Sequence, residues 1–177
     1  MLIQTTRDDH RIVWLTALAI TIHIAESALP SPLPGIKPGL ANVITIAALI
    51  LFNWRLAAWI TLLRVLAGSL LIGTFLSPTF ILSLSGALAS IAILALLSQL
   101  PGQGCGAMGY SVAAAMMHTM AQFWVAYWLF IQHEGLFYLL PPLMTAALLF
   151  GIVNGVIVFA MLRKLPSDIY IEFGMRI

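Results

Sequence analysis

The sequence predicts an all-α integral membrane protein, a single-domain bundle of six transmembrane helices. Three observations lead there. Of 177 residues 62% are apolar and only 14 are charged (8%), where a soluble domain carries about 25%, and the mean hydropathy is +1.04. No Asp, Glu, Lys or Arg occurs from Val65 to His133 or from Gly135 to Leu162. Prolines and polar clusters then cut the chain at intervals close to the roughly 20 residues a helix needs to cross a bilayer. These numbers exclude a water-soluble globule, a disordered chain, a disulfide scaffold and a nucleic-acid-binding protein. Cys105 is the sole cysteine, so no intramolecular disulfide can form.

The first span runs about 12–29 and stops at the proline-rich stretch Pro30-Ser31-Pro32-Leu33-Pro34-Gly35. The second runs about 39–52 and meets Asn53-Trp54-Arg55. At roughly 21 Å of helix it either ends inside the membrane or continues through Arg55, which leaves a five-span count open. The third and fourth, about 56–76 and 79–100, are separated by Ser77-Pro78. The fifth, about 107–131, follows the turn Pro101-Gly102-Gln103-Gly104, and the sixth, about 143–162, follows Pro141-Pro142. Proline suits a first helical turn, where its missing amide donor costs little.

The positive-inside rule places both termini in the cytoplasm, with the inner membrane as the expected location. Arg7, Arg11, Arg55, Arg163, Lys164 and Arg176 then lie inside and only Lys37 outside. Trp54, Trp59 and Tyr110 fall at the inner interface, and Trp124, Tyr127, Trp128 and Tyr138 at the outer one. A cleaved signal peptide is the competing reading of the first span, which its length and its internal His23 and Glu26 fit poorly.

Ionisable groups in a membrane are costly and face a cavity or a partner. Glu26 and His23 share one face of span one, and Asn42 opens span two just inside the outer boundary, five residues after Lys37. Arg64 lies about 12 Å into span three and His118 about 17 Å into span five, with Gln122 one turn further. All lie between mid-membrane and the outer face. Two readings stand. Either Glu26 pairs with Arg64 or Lys37 to hold helices together, or Glu26, Lys37, Asn42, Arg64, His118 and Gln122 line an outward-facing pocket for a small molecule with an anionic part. Asn154 is expected nearer the cytoplasmic side, in a helix–helix hydrogen bond.

Small residues form a second pattern. Ala147, Gly151 and Gly155 in span six, and Ser83, Gly86, Ala87 and Ser90 in span four, are expected to pack inside the bundle. Ala17, Thr21, Ala25 and Ala28 on span one could equally receive a second subunit. The sequence holds no aspartate-rich pair of motifs, P-loop, Cys-x-x-Cys, His-Glu-x-x-His or Gly-x-Ser-x-Gly, and its four histidines are scattered. No cofactor, metal site or catalytic residue is expected. An acid–base enzyme on Glu26 and His118 would lack a nucleophile or metal at recognisable spacing.

At Gly35-Ile36-Lys37-Pro38-Gly39-Leu40-Ala41-Asn42-Val43 the chain resembles the Gx transporter family, also labelled heptaprenyl diphosphate synthase component I. That family is similar to the substrate-binding S components of energy-coupling factor transporters. Leu63-Arg64-Val65-Leu66-Ala67-Gly68-Ser69-Leu70, Ser83-Leu84-Ser85-Gly86-Ala87-Leu88-Ala89-Ser90 and His118-Thr119-Met120-Ala121-Gln122 extend the likeness over about residues 15–160. The chain departs from the family pattern at Thr119, where asparagine is usual. The resemblance implies a six-helix bundle with an outward-facing pocket and a first helix whose small residues dock on a coupling subunit. The expected function is therefore a substrate-binding membrane subunit of a small-molecule uptake transporter. Partner ATPase and coupling subunits would energise it, and Ala17, Thr21 and Ala25 would be the contact. The alternative is a membrane accessory subunit of a heptaprenyl or polyprenyl diphosphate synthase, whose ligand would be a prenyl diphosphate.

Overall fold

The computed structural model describes residues 7–28, 39–99 and 106–164, and every regular element among them is helical. The elements are α1 (Arg7–Ala28), α2 (Ala41–Leu51), α3 (Trp54–Ile72), α4 (Pro78–Ser98), α5 (Ala107–Leu129), a 3-10 turn (Glu134–Leu139) and α6 (Leu140–Arg163). This is the six-helix bundle the sequence predicts. Three stretches, Trp54–Ile72, Pro78–Ser98 and Glu134–Arg163, are long and apolar enough to cross a membrane. Helix α5 has the length for it, but Ser111, His118 and Gln122 dilute its apolar character.

Helix α2 ends at Leu51, which resolves the ambiguity over Arg55. Phe52 leaves helical geometry (φ −125°, ψ −88°), and extended Asn53 begins α3 by accepting a hydrogen bond from the Leu56 amide at 2.8 Å. Asparagine suits this N-cap role because its side-chain oxygen satisfies an amide the helix leaves unpaired. Asn53→Ala is expected to cost about 1 kcal/mol, read as earlier thermal unfolding in detergent. At its other end α3 stops on Gly73, whose φ of +76° is open to glycine at no steric cost. Gly73 N–H bonds Leu70 O at 3.2 Å and Thr74 N–H bonds Ser69 O at 2.8 Å, the paired bonds of a Schellman stop. Ser77 then caps α4, and Pro78 occupies its first turn.

With 11 residues, α2 is about 16 Å long, half of what a bilayer requires. It is buried on every side: Ala41 and the whole run Val43–Leu49 lie below the surface. That burial follows from its sequence, which is apolar on every side except at Asn42 and Thr45. Helices α1, α3, α5 and α6 pack directly on it. The neighbour contacts α1–α3, α3–α4, α4–α5 and α5–α6 make the outer helices an arc around this short axial helix. Ile44, Ala48 and Leu49 pack with Leu56 and Ile60 of α3 and with Ala19 of α1. On the opposite side Val43, Ile46 and Ala47 meet Ala107 and Val158.

The small residues divide as their contacts demand. A Cβ on Gly155 would lie 2.7 Å from Met108 Cα, and one on Gly151 would lie 2.9 Å from Val112 Cα. Helices α5 and α6 therefore touch backbone to backbone, which only glycine permits. In α4, Gly86 and Ser90 face α5, while Ala87 packs with Val65 and Phe80. By contrast Ala17, Thr21 and Ala25 are exposed on α1, and the Thr21 hydroxyl donates back to the Ala17 carbonyl at 2.9 Å. Large apolar side chains such as Trp14, Leu71, Trp128 and Leu149 also point outward. An apolar exterior of this kind is stable in hydrocarbon and costly in water.

Candidate functional site

Four helices bring their polar side chains to the N-terminal end of α2. From α1, Glu26 is only 5% exposed, and its Oε1 accepts the Leu40 amide at 2.6 Å. No local side chain caps α2. A carboxylate from a distant helix does so instead, where the positive end of the helix dipole favours negative charge. One turn before Glu26, His23 rests on Gly68 of α3; a Cβ there would stand 3.0 Å from the imidazole Cδ2.

Arg64 is the eleventh residue of α3, about 15 Å from Trp54, and is 6% exposed. Its Nη2 donates to Asn42 Oδ1 at 3.0 Å, and the Glu26 carboxylate acts on it electrostatically. Among the described residues its Nε has no hydrogen-bond partner. One turn towards Trp54, Thr61 donates to the Ala57 carbonyl at 2.8 Å and receives the Thr45 hydroxyl at 3.0 Å. This bond holds α2 and α3 in register directly below the Asn42–Arg64 contact.

His118 lies on the α4 side of the cluster, within electrostatic range of Arg64 and hydrogen-bonded to the Gly86 carbonyl. A Cβ on Gly86 would stand 2.7–2.8 Å from three atoms of the His118 ring, so glycine is what admits the imidazole. The Ser90 hydroxyl donates to the Ala114 carbonyl at 3.1 Å and lies 3.3 Å from His118 Nδ1.

Asn154 of α6 closes the cluster by donating to the Gly39 carbonyl at 3.3 Å, in the turn before α2. Two features go beyond the sequence expectation. Asn154 anchors the turn before α2 and so belongs to the polar cluster. Fifteenth in α6, it lies about 21 Å from Leu140, and the Gly39–Asn42 turn it holds is equally deep. Asn42 therefore sits beside the body of α6 and not beside its Leu140 end. The reason is the shortness of α2, whose Asn42 is only about 14 Å from its other end at Leu51.

The structure thus gathers Glu26, Asn42 and Arg64 directly, with His118 in range of Arg64. Gln122 is half-buried one turn beyond His118 and, among the described residues, shares no hydrogen bond with the cluster. Lys37 lies outside the described residues. Sequence reasoning missed Ser90 as a histidine partner, and it expected Asn154 in a helix–helix hydrogen bond without joining it to the cluster. Serine at small-residue spacing reads equally as packing or as hydrogen bonding, so only the location of His118 distinguishes the two. Among the described residues no three His, Cys, Asp or Glu side chains come together. What remains is a guanidinium with one donor unengaged, a carboxylate committed to a helix end, and two amides. Such a set can bind and orient an anion.

A helical bundle with a lipid-compatible exterior, long apolar helices and a buried charged cluster is a helical membrane protein. The profile of the family described as heptaprenyl diphosphate synthase component I matches residues 15–161, and the chain belongs to that family. No curated protein and no solved structure matches it. Of the two functions carried by the resemblance, this match favours the synthase component over the transporter.

Proposed function

We propose that the protein is a non-catalytic membrane component serving a polyprenyl diphosphate synthase. In this reading it holds an amphipathic prenyl ligand while a soluble partner performs the chemistry. The single observation that supports this most is Arg64, a nine-tenths-buried guanidinium at half depth whose Nε is unengaged among the described residues. Guanidinium stays charged even in an apolar setting and matches phosphate oxygens with parallel donors. Lys37, Asn42, His118 and Gln122 would complete the binding surface, with Glu26 holding α2 in place. An inner-membrane location with cytoplasmic termini brings the soluble partner to the charged side. The test is retention of a radiolabelled long-chain prenyl diphosphate by purified protein. Arg64→Gln is expected to weaken it about tenfold or more, the worth of one charge-assisted hydrogen bond. A folded Arg64→Gln variant that binds like the parent would overturn the assignment.

One observation favours a second reading, capture of a small molecule for uptake. Ala17, Thr21 and Ala25 form an exposed small-residue face on α1, suited to close approach by another helix. Gentle extraction and co-purification separate the two readings. A soluble prenyltransferase in the complex supports the synthase component, and ATPase and coupling subunits support the transporter.

A further inference from the structure

At the opposite end of α5 from Ala107, away from the Arg64 cluster, aromatic rings gather around a single charge. Glu134 is the only Asp, Glu, Lys or Arg between Val65 and Leu162. It begins the 3-10 turn that joins α5 to α6, and the His133 ring fixes that turn by accepting the Gly135 amide at 3.0 Å. Glu134, Tyr127, Phe137 and Tyr138 line an open surface cavity of about 480 Å³. Its floor is built edge to face: the Phe137 ring lies 5.1 Å from Tyr127, 5.4 Å from Phe123 and 6.1 Å from Trp124. Phe123 beneath is buried and carries the Phe137 and Trp124 rings against it, while Tyr138 stands exposed at the rim.

Tyrosine and tryptophan at a membrane boundary need no ligand to explain them. A carboxylate and three aromatic side chains lining one cavity are a narrower arrangement. Ring faces carry negative potential, and a carboxylate beside them adds full charge, so the wall is selective for a cation. A small inorganic ion would need several oxygen ligands, which one carboxylate does not supply. An alkylated ammonium needs none, because it is satisfied by ring faces and one counter-charge.

We propose that this cavity binds the head of an organic ammonium, a choline- or ethanolamine-like group, from either a lipid or a free solute. The site is independent of the function proposed for the Arg64 cluster. Because the cavity is open, affinity is expected on the order of millimolar.

The test titrates the full-length protein in maltoside micelles with tetramethylammonium chloride and choline chloride, followed by saturation-transfer NMR. Saturable binding is expected, weakened at least fivefold by Tyr127→Ala and by Glu134→Gln. Tyr127→Phe, which keeps the ring face, should retain it. The titration is repeated in nanodiscs of phosphatidylglycerol with or without phosphatidylcholine. Loss of choline binding in the phosphatidylcholine discs identifies a lipid headgroup as the occupant, and unchanged binding identifies a free solute. Non-saturable binding in the parent, or binding that survives both Tyr127→Ala and Glu134→Gln, overturns the proposal.

Discussion

Replacing Arg64 with methionine is expected to destabilise the bundle by about 3–5 kcal/mol, the usual cost of leaving one buried charge without its opposite. The charge left behind is the Glu26 carboxylate, 5% exposed and bound by the Leu40 amide, with Arg64 acting on it from α3. Asn42 would lose its partner in the same step. A second substitution, Glu26→Gln, should recover most of the loss, because glutamine can still accept the Leu40 amide and carries no charge. The measurement is a double-mutant cycle on thermal unfolding in detergent, with both single variants and the pair. Additive losses would show that Glu26 and Arg64 do not depend on each other, and the electrostatic account of the cluster would fail. The same cycle serves the functional question. An Arg64/Glu26 double variant that folds yet no longer retains ligand separates the binding role of the guanidinium from its structural one.

The second large effect is expected at the α5–α6 seam. Gly155→Ala places a methyl group 2.7 Å from Met108 Cα and 3.3 Å from Ser111 Cβ. A flexible side chain could move aside, but a backbone atom cannot without separating two long helices. A cost of about 1–3 kcal/mol is expected, as for overpacking elsewhere. Gly151→Ala meets Val112 Cα at 2.9 Å and should cost a similar amount. Gly106 supplies the control. A Cβ there meets nothing within 4 Å, and the residue stands at the N-cap of α5 with an extended ψ of 170°. Gly106→Ser should therefore be neutral or slightly stabilising, since serine can bond a free amide of the first turn. The three variants are compared by thermal unfolding in one detergent. Equal behaviour of Gly155→Ala and Gly106→Ser would mean the helices are not in backbone contact.

The polar cluster was legible in the sequence to the extent that burial makes polar residues conspicuous. Glu26, Arg64 and His118 stand out because a chain this apolar has few reasons to place charge or imidazole inside a span. Asn42 was legible as a participant, but its place beside the body of α6 was not. That place has a physical origin in Asn53. An asparagine between two apolar runs can sit within a continuous helix or cap a new one, and its local sequence does not separate the two. Only its bond to the Leu56 amide shows that α2 ends at Leu51. Asn154 lies nearer the Arg163 end of α6 than the Leu140 end, and its partner, the Gly39 carbonyl 115 residues away, was the part no local pattern displays.

By itself the amino-acid sequence determined the class of protein: a helical bundle meant for lipid, its breaks set by proline and glycine, its few charges confined to places that need explaining. These features depend on composition and on local backbone preference, which a linear chain displays directly. The tertiary structure decided which helix is axial, how far α2 reaches, and that Asn154, Ser90 and the Leu40 amide join Glu26, Asn42 and Arg64. Those contacts span from 14 to 115 residues of separation, and hydrogen bonds over such distances depend on helix lengths and crossings that no single segment encodes.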